Sequence, residues 1–276
     1  MLTINCLGKL LTFERPRIMG IINATNDSFY KGDLDAGLDA MVRKAAAMLD
    51  EGADILDLGG QSTRPDSKRL TAEEESANVI PVIQAIKAQL PQAIISVDTY
   101  YSAVAEAAVD AGAAIVNDIS GGTMDAAMIK TVAKLRVPYV CMHMQGTPNT
   151  MQIAPSYTHV TQEVLDYFIQ QLNICRQAGI KDVIADPGFG FGKSIAHNFQ
   201  LLREFSAFNM LQIPLLAGIS RKSFIYKTLG CDAAEALNGT SVLHAIALQQ
   251  GAHILRVHDV QPAREAIQLM LTLKNS

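Results

Sequence analysis

Ile94-Ile95-Ser96-Val97-Asp98, Thr99-Tyr100-Tyr101, Ser102-Ala103-Val104-Ala105-Glu106-Ala107-Ala108-Val109-Asp110-Ala111-Gly112 and Ala113-Ala114-Ile115-Val116-Asn117-Asp118 follow one another without a break, and their reading decides the fold. A short apolar run ends at a polar residue. An Ala-rich amphipathic segment follows, and a glycine closes it. A second apolar run then ends at two polar residues. Neither run alternates apolar with polar, as expected for parallel strands covered on both faces. A glycine just past a helix suits its C-terminal cap. The unit reads as strand, helix, strand.

Outward from this unit the same pattern recurs. Ile18-Met19-Gly20-Ile21-Ile22 ends at Asn23, and Ala53-Asp54-Ile55-Leu56-Asp57-Leu58 ends at Gly59-Gly60. Pro138-Tyr139-Val140-Cys141-Met142 ends at His143, and Val183-Ile184-Ala185 ends at Asp186. Pro214-Leu215-Leu216-Ala217-Gly218-Ile219 ends at Ser220-Arg221-Lys222, and Ala252-His253-Ile254-Leu255 ends at Arg256-Val257-His258. Gly52, Gly179 and Gly251 take the place that Gly112 holds in the first unit. Asp39 to Met48 has helical periodicity through Ala40, Val42 and Ala45 to Ala47. Thr71-Ala72-Glu73-Glu74 is a capping box that should start a helix. Residues 2–13 read as a hairpin turning at Gly8-Lys9.

Eight such strands in 276 residues predict an α/β fold, a single (β/α)8 or TIM barrel with a short N-terminal β-hairpin, spanning 1–276 as one domain. A doubly wound open sheet is the alternative. The strand count speaks against it, as does the lack of a Gly-x-Gly-x-x-Gly after the first strand.

Composition narrows the function. Apolar residues make up 49% and charged residues 18%, enough for a large core, and the net charge is −4 with both signs interspersed. No broad basic face is available for nucleic acid. No apolar run is long enough to span a membrane, and Met1-Leu2-Thr3-Ile4-Asn5 lacks the basic start of a secretory leader. Cys6, Cys141, Cys175 and Cys231 show no Cys-x-x-Cys or zinc spacing. Four reduced, mostly buried thiols and a cytoplasmic location are expected.

A barrel of this kind builds its site from the C-terminal strand ends and the loops after them. Those positions offer the carboxylates of Asp98, Asp118 and Asp186, the amides of Asn23 and Asn117, the cations Arg64, Arg221, Lys222 and Arg256, and His258. Cations after the last two strands suit a phosphate or diphosphate, which arginine grips as a fork and lysine as a point charge. An ionised aspartate only accepts hydrogen bonds, so Asp98 and Asp186 suit a nitrogen heterocycle with paired N–H donors, and Asn117 adds both donor and acceptor. Asp118 reads instead as the N-cap of the helix that follows. A Mg2+ ion bridging Asn23 and a diphosphate would be oxygen-ligated and partly hydrated.

Gly188-Phe189-Gly190-Phe191-Gly192-Lys193-Ser194 imitates a phosphate loop, but the glycine required five positions before Gly192 is Pro187. The segment reads as a flexible loop of close approach, with Phe189 assigned to the core and Phe191 to the mouth. The polar stretches 23–29 and 61–67 are candidate lids. His143, His159, His197, His244 and His253 are assigned to structure.

Eight segments together carry a family resemblance. They are Asn23-Ala24-Thr25-Asn26-Asp27-Ser28-Phe29, Gly59-Gly60-Gln61-Ser62-Thr63-Arg64-Pro65, Ser96-Val97-Asp98-Thr99, Val116-Asn117-Asp118-Ile119, Met142-His143-Met144-Gln145-Gly146, Asp186-Pro187-Gly188-Phe189-Gly190-Phe191-Gly192-Lys193, Ser220-Arg221-Lys222-Ser223 and Arg256-Val257-His258-Asp259. In this order, over nearly the whole chain, the sequence resembles the dihydropteroate synthases, pterin-binding barrels of folate biosynthesis.

The resemblance implies a transferase. It would condense 6-hydroxymethyl-7,8-dihydropterin diphosphate with 4-aminobenzoate, giving 7,8-dihydropteroate and diphosphate, with Mg2+ as cofactor and a homodimer as the assembly. It implies Lys222, Arg256, Asp98 and Asp186 as catalytic. Asp98, Asn117, Met142, Asp186 and Lys222 would bind the pterin. Asn23, Thr63, Arg64, Arg256 and His258 would bind the diphosphate, with Asn23 also the metal ligand. Thr63, Arg64, Pro65, Gly190, Phe191, Lys222 and Ser223, with Phe29 as a lid, would shape the 4-aminobenzoate pocket, the place where sulfonamides act in this family. The implied mechanism is SN1-like, and no covalent nucleophile is needed.

Asn26, Gln61 and Asp66 depart from the family pattern, which has proline, glutamate and glycine there. Two other readings stand beside this one. A corrinoid-linked methyltransferase would share the pterin site without needing diphosphate cations. A barrel that binds pterin without catalysis would account for the loop departures.

Overall fold

The computed structural model describes residues 1–24, 34–61, 69–148, 150–151 and 153–276. A two-stranded antiparallel hairpin, β1 (Thr3–Cys6) and β2 (Lys9–Thr12), precedes eight parallel strands. These are β3 (Arg17–Asn23), β4 (Ile55–Gly59), β5 (Ile95–Asp98), β6 (Ile115–Asp118), β7 (Tyr139–Met142), β8 (Val183–Asp186), β9 (Leu216–Ala217) and β10 (Ile254–Val257). The helices between and after them are α1 (Leu34–Glu51), α2 (Ala72–Gln89), α3 (Ser102–Asp110), α4 (Met128–Leu135), α5 (Val160–Ala178), α6 (Ile195–Arg203), α7 (Ser223–Leu229), α8 (Leu237–Gln249) and α9 (Val260–Asn275). The pairing runs in sequence from β3 to β8 and from β9 through β10 back to β3. A bridge between Ala185 and Leu215 joins the two ends, so the expected barrel closes.

Strand alternation explains the core. Met19, Ile55, Ile94, Ile115, Val140, Ile184, Leu216 and Ile254 form one apolar cluster together with Ile4, Cys6 and Leu11 of the hairpin. These barrel residues lie in the first part of each strand or just before it, so the hairpin plugs the N-terminal end of the barrel. The outward set, including Ile18, Leu56, Val97, Val116, Tyr139 and Leu255, packs against the helices. That leaves the C-terminal strand ends for polar residues.

Local signals set the boundaries. Thr71 Oγ1 accepts from the Glu74 amide at 3.2 Å while the Glu74 carboxylate accepts from the Thr71 amide at 2.8 Å, so the capping box opens α2 as expected. Gly179 caps α5 at φ 92°, and nothing stands within 4 Å of where its Cβ would be. Glycine is required there for backbone conformation alone. Gly52, Gly112 and Gly251 also have positive φ.

Two expectations need correction. The hairpin turns at Leu7-Gly8, with Lys9 already paired to Cys6. Both turn residues have positive φ, 50° and 89°, which matches the twist of a two-residue hairpin, and Asn5 Oδ1 holds the Gly8 amide at 2.6 Å. The seventh barrel strand is also shorter than the apolar run suggests. Pro214 has no N–H for a ladder, and only Leu216 and Ala217 pair with β10. Among the described residues, no helix is long and apolar enough to cross a membrane.

Candidate functional site

Inward-facing residues of β4, β5, β6, β8 and β10 meet at the C-terminal end of the barrel. Arg256 is at the centre. Its Nε donates to Asp57 Oδ2 at 2.6 Å, and its Nη2 donates to Asp98 Oδ2 at 2.6 Å. Asn117 Nδ2 donates to the same Asp57 oxygen at 3.0 Å. Asp186 is buried, and its Oδ1 accepts from the Gly188 amide at 2.8 Å. A Cβ at Gly218 would stand 3.6 Å from the Asp186 carboxylate and 3.7 Å from the Lys222 ammonium, so the bare glycine backbone leaves room between these two groups.

Lys222 occupies the N-cap position of α7, next to Ser223, the first residue of that helix. Its Nζ donates to the carbonyl of Phe189 and lies 4.6 Å over the ring of Phe191. A Cβ at Gly190 would stand 3.0 Å from the Lys222 side chain. Met142, the last residue of β7, is buried with Tyr100 and Ile119, against Met144 and Phe191. Asn23 ends β3 with an exposed side chain, level with Gly59. His258 is exposed just past β10, its Nδ1 3.0 Å from Ser220 Oγ. Asp98, Asn117, Met142, Asp186, Gly190, Phe191, Lys222, Ser223, Arg256, Asn23 and His258 therefore share one end of the barrel. Phe29, Thr63, Arg64, Pro65, Asn26 and Asp66 lie outside the described residues.

Burial sets the electrostatics. It raises the Asp98 carboxyl to about 7, against the opposing charge of Arg256 and with a further push from Asp57. It also raises Asp186, against the opposing charge of Lys222. Burial lowers the Lys222 ammonium to about 8, with Asp186 opposing. Burial works against the Arg256 guanidinium too, yet Asp57 and Asp98 hold it above its ordinary value. Acceptors for a donor-rich ring thus sit beside cations for an anion.

Several assignments change. Arg221 is not part of the cation cluster. Its Nε and Nη2 grip both oxygens of Asp259 at 2.7 and 3.0 Å, and its Nη1 donates to Ala233 O at 2.9 Å. It therefore ties the loops after β9 and β10 together. Asp118 does not cap the next helix, whose N-cap is Ala127. It organises the loop after β6, accepting from Ser120 N and Oγ, Gly122 N and Tyr139 Oη, each at 2.7 Å.

The glycine-rich loop is held in place. Lys193 is buried, with Nζ at 3.0 Å from Gly188 O, 3.1 Å from Phe191 O and 3.0 Å from His143 Nδ1. Burial lowers its ammonium to about 7. A Cβ on Gly188 would collide with the His143 carbonyl. Phe189 is fully buried, stacked between Phe205 and Phe224. The remaining histidines make internal contacts. His159 and His197 take part in the N-terminal capping of α5 and α6, His253 Nδ1 accepts from Leu215 N at 3.2 Å, and His244 is buried in α8.

Sequence reasoning missed two carboxylates. Asp57 is one, and its only signal is a charge inside the apolar run Ile55-Leu56-Asp57-Leu58. Glu75 is the other. It is fully buried beneath Gly60 and bonded to the Gln61 amide, while Gln61 Oε1 accepts from Tyr100 Oη at 3.0 Å. Among the described residues, no cluster of three His, Cys, Asp or Glu side chains could hold a metal. The one amide of Asn23 suits a hard cation only where a ligand and water complete the shell.

Comparison with known proteins gives concordant matches. A profile of the pterin binding enzyme family matches residues 19–258. Dihydropteroate synthase of Escherichia coli (strain K12) is 44% identical over 265 residues, covering 95% of this chain and 93% of that protein. The structure of Xanthomonas albilineans dihydropteroate synthase with 4-aminobenzoic acid superposes with a TM-score of 0.92 at 40% identity, covering 99% of this chain and 98% of the other. That of dihydropteroate synthase from Xanthomonas albilineans in complex with 7,8-dihydropteroate superposes with a TM-score of 0.88 at 38% identity, covering 99% of each.

Proposed function

The chain belongs to the pterin-binding enzyme family, among the dihydropteroate synthases, and we propose that it condenses 6-hydroxymethyl-7,8-dihydropterin diphosphate with 4-aminobenzoate to give 7,8-dihydropteroate and diphosphate. The observation that carries this reading is the set of half-buried Asp98 with buried Asn117 and Asp186, beside Lys222 and Arg256 at one barrel end. It matches both a donor-rich ring and an anionic leaving group.

The residues divide the work. Asp98, Asn117 and Asp186 accept from the N–H edge of the pterin, with Lys222 above the ring and Met142 on its apolar side. Arg256, Asn23 and His258 face the diphosphate, and the family resemblance assigns Thr63 and Arg64 to the same ligand. Phe191, Gly190, Lys222 and Ser223 flank the 4-aminobenzoate, and the family resemblance assigns Pro65 and Phe29 to the same ligand. The bond from the exocyclic carbon to the diphosphate oxygen breaks first, its electron pair leaving on oxygen. The amine nitrogen of 4-aminobenzoate then bonds to that carbon and gives up a proton. The ring delocalises the transient cation, so the protein stabilises the anion, orients the amine and excludes water. No nucleophilic side chain is involved. A Mg2+ ion carried on the diphosphate would take Asn23 as its protein ligand and screen the leaving charge.

We also infer a homodimer. Val242 on α8, with Leu269 and Leu273 on the neighbouring α9, are large apolar side chains 53 to 71% exposed, which supports a partner on this side. Sedimentation analysis should find a dimer, and a monomer at micromolar concentration would refute it. The buried free thiols Cys6, Cys141 and Cys175 support a cytoplasmic location.

The decisive experiment incubates purified protein with both substrates and Mg2+ and follows dihydropteroate and released diphosphate. Formation of both is expected. Absence of both overturns the reading and returns the site to a methyltransferase or a binding protein without catalysis.

A further inference from the structure

Asp57 has no role in the division of labour above, yet it is the best-enclosed charge at the site. Its side chain is fully buried in the middle of β4. Its Oδ2 accepts from Arg256 Nε at 2.6 Å and from Asn117 Nδ2 at 3.0 Å. Its Oδ1 is buried without a partner among the described residues. Arg256 is thus shared between two carboxylates, Asp57 through Nε and Asp98 through Nη2.

The two carboxylates are not equivalent. Asp98 ends β5 and is level with Gly59, the last residue of β4. Asp57 lies two residues deeper along the same face, level with Ser96. A ligand entering from the mouth meets Asp98 first, and Asp57 stays behind Arg256 and Asn117. Arg256 therefore has one permanent partner and one that a ligand can take.

We propose that Asp57 is a positioning residue that fixes the Nε side of Arg256 and the amide of Asn117 on a single oxygen, so that a pterin taking Asp98 releases the Nη2 side of the guanidinium toward the diphosphate. The two halves of the substrate are then bound cooperatively through one exchange of partners. This inference rests on the proposed function of the site. Without the Asp57 charge, Asp98 is the one carboxylate among the described residues that still bonds Arg256, and the guanidinium competes with the pterin instead of cooperating with it.

Asp57→Asn isolates the charge. The unpartnered Oδ1 position accepts an amide NH2, and the remaining oxygen can still receive Arg256 and Asn117.

The test is calorimetric titration with 6-hydroxymethyl-7,8-dihydropterin and inorganic diphosphate, separately and together, alongside steady-state kinetics. In the unaltered protein each ligand should tighten the other by about tenfold. In D57N that coupling should fall below about twofold. The KM for the pterin diphosphate should rise by roughly tenfold while the KM for 4-aminobenzoate stays within about twofold. In an Arg256→Ala background, D57N should add less than about twofold. Independent binding of the two ligands to the unaltered protein overturns the proposal and needs no variant. It is also overturned by full coupling in D57N, by a parallel rise in both KM values, or by an undiminished effect of D57N without Arg256. Normal dihydropteroate synthesis with any of these results refutes this inference alone, whereas no synthesis by the unaltered protein refutes the function on which it rests.

Discussion

Glu75→Gln should stabilise the protein above neutral pH and do little near pH 5. Glu75 is the fourth residue of α2 and is fully buried. A Cβ at Gly60 would stand 2.8 Å from its Cγ, so the end of β4 rests directly on the carboxyl stem. One oxygen takes the Gln61 amide, and the other is buried without a partner among the described residues. Burial raises this carboxyl from 4.5 to about 7, against the Thr99 and Gln61 side chains, which favour its charged form, and with a smaller push from the charge of Asp98. Because the folded chain holds the proton more tightly than the unfolded chain, stability falls as pH climbs from 4.5 toward 7, and the loss is complete above 7. At roughly 1.4 kcal/mol per pH unit the penalty is about 3 kcal/mol. Glutamine keeps an oxygen for Gln61 and cannot ionise. Its unpaired NH2 costs about 1 kcal/mol at every pH. Urea unfolding of both proteins from pH 5 to 8 should show the difference growing to about 2 kcal/mol in favour of the variant. A difference independent of pH, or one that shrinks as pH rises, would show that Glu75 is not held protonated by its burial.

Arg256→Ala should weaken inorganic diphosphate binding far more than binding of the pterin without its diphosphate, and equal losses would contradict its assigned role. The same change leaves Asp57 as a buried, unpaired charge and should cost roughly 3 to 5 kcal/mol in urea unfolding. Asp98→Asn turns an acceptor-only group into one that is half donor, and should lower pterin affinity by about tenfold by calorimetry; unchanged affinity would make Asp98 a structural partner of Arg256 only. Lys222 is lowered to about 8 by burial, so it loses its proton as pH rises through that value. kcat/KM for the pterin diphosphate should fall above pH 8 along a limb that Lys222→Met lacks, and the same limb in both proteins would assign it elsewhere.

The barrel was legible because strands buried on both faces leave continuous apolar runs, and each run here ends at the residue where the barrel opens. Parity within such a run was not legible. Leu56 and Leu58 face the helices and Asp57 faces the axis, but a run of buried residues carries no alternation to say so. Arg221 and Lys222 are adjacent and carry the same charge, so sequence treats them alike. Asp259, 38 positions away, draws Arg221 out of the site. Glu75 follows the two acids of a real capping box, and nothing local separates the buried member of Glu73-Glu74-Glu75 from its neighbours. In each case the deciding partner is distant in sequence or the deciding fact is which way a side chain points.

Two lysines on one loop show why the charges at this site need fixed positions. Lys193 and Lys222 both donate to carbonyls of the stretch 188–191, Lys193 to Gly188 and Phe191, Lys222 to Phe189. Lys193 is sealed inside and otherwise bonded to His143, so it holds the loop and does not face the mouth. Lys222 lies over the Phe191 ring and shares its field with Asp186. The inner lysine thus sets the backbone on which the outer one is aimed. Asp57 stands in the same relation to Arg256. In both pairs a buried group with no access to the mouth fixes a cation that has access, so little reorganisation is left to the reacting step, the condition under which fixed charges stabilise a departing anion best.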